Sequence, residues 1–149
     1  MGSTLENDHK NTHLVVVYLA NLINIIMTIL FTVRIFGLSQ VEYALGIVVM
    51  AMGFVLGYIA ILNKKNRRDK WEFYLLIPIF LFFIVDLFLD YLFPFDFRST
   101  ALAGPYVLLY YVGLWGLIGY NFRFNKKWGF ATLATYFLNM TLSVLAHYV

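Results

Sequence analysis

Five apolar stretches take up most of the chain, at about 13–35, 41–63, 71–93, 105–122 and 128–148. Each is close to the roughly 20 residues that carry a helix across a bilayer, and no other feature limits the fold so sharply. The composition agrees: 62% of residues are hydrophobic and 13% charged, against about 45–50% and 25% in a soluble domain. The expected fold is all-α, a polytopic transmembrane bundle of five spans. A short polar N-terminal tail, 1–12, precedes a single transmembrane domain, 13–149. Pro94 ends the third span because proline cannot continue a helix without losing a backbone hydrogen bond. Pro105 suits the first turn of the fourth.

The polar start, with acids and histidines where a secretion signal carries basic residues, reads as a tail before a retained span. The chain contains no cysteine. Disulfides, thiolate metal sites, cysteine nucleophiles and iron–sulfur ligation are therefore excluded.

Lysine and arginine set the threading, because short cytoplasmic loops retain them. Lys64, Lys65, Arg67, Arg68 and Lys70 lie between spans two and three, and Arg123, Lys126 and Lys127 between spans four and five. With Lys10 they place nine of the eleven basic residues on one side, leaving Arg34 and Arg98 opposite. The expected orientation has the N-terminus cytoplasmic and the C-terminus outside, in a multi-pass protein of the cell membrane. Trp71 and Trp128 then fall at the cytoplasmic interface, where indole rings are favoured. The basic loop is a topology determinant on this reading, so membrane lipids rather than nucleic acid are the expected partners.

Polar side chains inside a membrane face other helices. Asn21, Asn24, Thr28 and Thr32 recur at helical spacing in the first span, as do Thr132, Tyr136 or Thr135, Asn139, Ser143 and His147 in the fifth. Both stripes read as interhelical glue. Gly46, Gly53 and Gly57 in the second span, and Gly113 and Gly116 in the fourth, form small-residue surfaces of the kind that let helix backbones approach. Contacts within one subunit, between copies in a homo-oligomer, or with other membrane subunits all fit.

Two acids interrupt the third span. At 1.5 Å per residue, Asp90 lies near the outer interface and Asp86 roughly 10 Å deeper, where a carboxylate costs a few kcal/mol unless paired, protonated or hydrated. Arg34, Arg98, His147, Tyr106 and Tyr110 fall at similar depth, so an outward-facing polar pocket is expected around Asp86 and Asp90. An arginine, Arg34 or Arg98, is the expected neutraliser of Asp86. The inward halves of spans two, three and five offer almost nothing ionisable, which predicts a pocket open outward or to the outer leaflet and closed toward the cytoplasm.

Three functions compete. The leading one is an assembly subunit or a membrane module that binds a hydrophobic ligand. The second is a small cation- or proton-coupled transporter or channel using Asp86 and Asp90. The third is a membrane-embedded enzyme acting on a lipid or isoprenoid substrate. Ser143 and His147 stand at i and i+4, but no nucleophile-elbow sequence accompanies them. Asp86, Asp90 and His147 have metal-ligand chemistry without a matching His-x-x-x-His spacing among them, so no metal is assigned. The residues name no cofactor.

Overall fold

The computed structural model describes residues 2–66, 68–93 and 97–148, with side chains for those between 9 and 146 except Arg98. Among them there is no strand. The helices are α1 (Gly2–Ile35), α2 (Ser39–Lys65), α3 (Lys70–Asp86), α4 (Ala103–Phe124) and α5 (Lys126–Tyr148). A π-helical segment, Leu87–Leu92, extends α3, and a 3-10 turn, Phe97–Ser99, precedes α4. The residues read as a polar tail are helical from Gly2 onward.

Among the described residues, four helices are long and apolar enough to cross a membrane: His9–Ile35, Ser39–Lys65, Lys70–Leu92 and Lys126–Ala146. They mark a multi-pass membrane protein. The remaining expected span is the 22-residue α4, about 33 Å long. Four glycines and four tyrosines within it dilute its apolar character. Length and composition therefore support four crossings where the sequence reading expects five.

The chain forms two compact units, Met1–Met52 with Asn121–Val149, and Gly53–Tyr120. In the first, α1 packs on α5, and Val16, Val17, Ala20 and Ile23 of α1 are fully buried. Polar residues bind the same face. Asn24 donates to the Thr135 hydroxyl at 3.1 Å and the Thr132 carbonyl at 3.4 Å, and accepts from Asn139 at 3.3 Å. Thr132 Oγ1 donates to the Trp128 carbonyl at 3.0 Å and accepts from Asn21 at 3.1 Å and Asn121 at 2.6 Å. That uses a hydroxyl's one hydrogen and two lone pairs in full. Thr28 and Thr32 instead bond back to the carbonyls of Asn24 and Thr28 in their own helix.

Two turns shape this unit. Gly37, at φ 71°, closes α1: its N–H reaches the Arg34 carbonyl at 3.0 Å and the Leu38 N–H reaches Val33 at 3.2 Å. This is a Schellman cap, whose left-handed residue suits glycine. Asn125 alone separates α4 from α5. Its side chain accepts the Lys127 N–H at 2.9 Å, capping the new helix. Phe122 and Phe130 have ring centroids 5.0 Å apart. An uninterrupted helix would separate those residues by about 12 Å, so the chain reverses here.

In the second unit, glycines bring backbones close to α3. A Cβ at Gly53 would overlap the Phe83 ring and one at Gly57 the Phe80 ring. On α4, a Cβ at Gly113 would sit 2.8 Å from Ile79 Cα, and one at Gly116 would overlap the Leu75 carbonyl oxygen. Gly46, on the part of α2 in the first unit, is half-buried.

Candidate functional site

Asp86 is the last residue of α3, and beyond it the hydrogen bonding changes. The Phe93 N–H reaches the Phe88 carbonyl at 2.9 Å, the i to i+5 closure of a π turn, a form that recurs at functional sites. The chain leaves the helix at Phe93 (φ −129°, ψ 65°); Pro94, expected to end the span, lies outside the described residues. Asp90 lies inside the π segment and, like Asp86, is half-buried.

Thr100 positions the other wall. Its hydroxyl donates to the Phe97 carbonyl at 2.6 Å and accepts the Leu102 N–H at 3.2 Å, holding Phe97 against the start of α4. Phe97 is fully buried, and its ring meets Tyr106 at 4.8 Å, edge to face. The Tyr106 hydroxyl donates to Asp86 Oδ1. One turn before Asp86, Phe82 contacts both Tyr106 (5.2 Å) and Tyr110 (5.0 Å). The result is a carboxylate hydrogen-bonded to a phenol and backed by aromatic rings. Chemically, such a group can accept a hydrogen bond or pair with a cation.

The expected residues are distributed as follows. Asp86, Asp90, Tyr106 and Tyr110 all belong to the second unit, with Asp86 bonded to Tyr106. Arg34 belongs to the first, where its Nε and Nη2 donate to Glu42 Oε1 at 2.8 and 2.5 Å. The cap at Gly37 folds α2 back so that the last turn of α1 meets the first of α2. Arg34 is therefore engaged by the acid eight residues on. The side chains of Arg98 and His147 lie outside the described residues.

At the basic-loop end of the third span lies Glu72. It is 1% exposed, the only buried acid among the described residues. Fully buried Tyr120 lies in the field of Glu72 and Arg68. Arg68 donates to buried Asn63 at 2.6 Å, and Trp71 packs on Tyr120 at 5.1 Å. In the sequence Glu72 looks like one more charge flanking a basic loop. No local pattern announces its burial or its nearness to Tyr120, 48 positions away. A second omission was legible: His9 and His13 have the i, i+4 spacing of a helical pair.

No protein-family model, curated protein or solved structure is significantly similar to the chain.

Proposed function

We propose that this multi-pass membrane protein holds a hydrophobic ligand, a membrane lipid or lipid-like amphiphile, by its polar end at Asp86 and Tyr106, without turning it over. The supporting observation is the Asp86–Tyr106 hydrogen bond within the rings of Phe82, Phe97 and Tyr110. In this reading α4 is the fifth crossing. The reversal at Asn125 supports that, since it returns the chain from α4 directly into an apolar helix. The N-terminus and both basic loops are then cytoplasmic and the C-terminus is outside.

The test is to purify the protein in mild detergent and quantify the lipids it retains by mass spectrometry, alongside Asp86→Asn and Tyr106→Phe. A hydrogen bond to a charged group contributes about 1.5–3 kcal/mol, so retention of the bound species should fall about tenfold or more in each variant. Unchanged melting temperatures keep that loss distinct from unfolding. Equal lipid yields from all three proteins reject the reading.

Coupled transport of a cation or proton by Asp86 and Asp90 is the second reading, and the π segment that carries Asp90 favours it. Weighing against it, residues 73–85 of α3 contain no acid or base. That leaves about 21 Å between Glu72 and Asp86 along the helix. Proton flux into protein-containing vesicles, lost in Asp86→Asn, would reverse the order of the two readings.

A further inference from the structure

The segment before the first apolar stretch carries the sequence His9-Lys10-Asn11-Thr12-His13, and α1 is already helical there. Residues four apart on a helix share a face. The two imidazole rings accordingly meet, with centroids 4.4 Å apart and planes tilted by 39°. His13 is only 7% exposed and lies flat on the Phe124 ring at 4.7 Å, with 17° between the planes. A ligand held this way by packing is preorganised. His9, half-buried, retains more freedom.

We infer that His9 and His13 form a binding site for a first-row divalent metal ion of the Zn2+, Ni2+ or Cu2+ type. One nitrogen of each ring lies within 4.8 Å of the other. A metal–nitrogen bond of about 2.0–2.1 Å brings two ligand nitrogens to roughly 3 Å, a closure that rotation of the His9 ring supplies while Phe124 holds His13. Imidazole selects these ions over Mg2+ and Ca2+, which prefer oxygen. Paired histidines one helical turn apart are the spacing by which metalloprotease helices hold zinc. Here no nucleophile or base is required, because the chelate fastens together the first turns of α1, where the polar residues lack the apolar stripe that anchors the rest. The remaining coordination positions are taken by water or further side chains.

The experiment uses the full chain in detergent. Zinc chloride is titrated calorimetrically, and copper-loaded protein is examined by electron paramagnetic resonance, which counts bound nitrogens. The expected result is one equivalent of zinc bound, two or more nitrogens on copper, and no heat with magnesium chloride. His9→Ala and His13→Ala should each weaken zinc binding at least tenfold, whereas His147→Ala, altering the chain's third histidine, leaves it unchanged. Hydrogen exchange of residues 2–12 should slow with zinc in the wild type but not in His9→Ala. His9 is only half-buried, so that variant remains informative if His13→Ala does not fold. Zinc binding that survives both substitutions, or no binding by the wild type, overturns the assignment.

Discussion

Asn24 connects the largest number of polar groups between α1 and α5. Its amide donates twice and its oxygen accepts from Asn139, all in a site that is 1% exposed. Asn24→Ala leaves the Asn139 amide and the Thr135 hydroxyl without that partner in a buried layer. Interhelical bonds in membranes average about 0.6 kcal/mol each, to a maximum near 1.7. Losing three should cost about 2 kcal/mol, read as a lower unfolding midpoint in a detergent titration. Asn21→Ala, at a half-buried position, should cost less, and a reversed ranking would count against Asn24 as the centre of the layer. The Arg34–Glu42 pair is different, with side chains 37% and 27% exposed. Arg34→Gln should cost less than about 1 kcal/mol. At this scale the sequence was informative where chemistry is periodic: Asn21 and Asn24 of one stripe meet Thr132, Thr135 and Asn139 of the other, and Tyr136 beside them is buried. It was silent where burial depends on a distant element, as at Glu72. His9 and His13 are legible as an i, i+4 spacing, but a polar segment offers no apolar periodicity from which to read the helix that pairs them.

Among the elements, α3 has the closest neighbours. Gly116 and Gly119 are one turn apart on α4, yet a methyl group meets different surroundings at each. At Gly116 it runs into the Leu75 carbonyl, which belongs to the backbone and cannot rotate away. At Gly119 it would lie 3.5 Å from the end of the Leu75 side chain, an ordinary contact. Gly116→Ala should therefore destabilise the protein by about 1–3 kcal/mol through overpacking. Gly119→Ala should be neutral or stabilising by up to about 1 kcal/mol, because alanine is the better helix former. Thermal unfolding of the two proteins in one detergent separates these outcomes, and a stable Gly116→Ala protein would contradict the geometry at Leu75. The glycine spacing was visible in the sequence as packing surfaces. The change from α to π hydrogen bonding after Asp86 was not, since both forms present the same apolar composition.

For the whole molecule, threading is the property most open to measurement. A reporter active only in the cytoplasm should work when fused at the N-terminus or inserted after Asn66, and fail when fused after Val149. Activity at the C-terminus would mean that α4 does not cross, leaving the four apolar helices as the complete set. Dilution by glycine and tyrosine is what made this count hard to read from composition. The reversal at Asn125 also bears on how the protein is made. With one residue between α4 and α5, the ribosome delivers both helices to the insertion machinery as a hairpin. On the proposed threading, a segment too dilute to partition on its own would be drawn in together with its apolar successor, with Lys126 and Lys127 holding the turn on the side of synthesis. Threading of α4 thus becomes a property of the nascent hairpin, and a ten-residue glycine–serine spacer after Asn125 should leave a measurable fraction of chains with an inverted C-terminus.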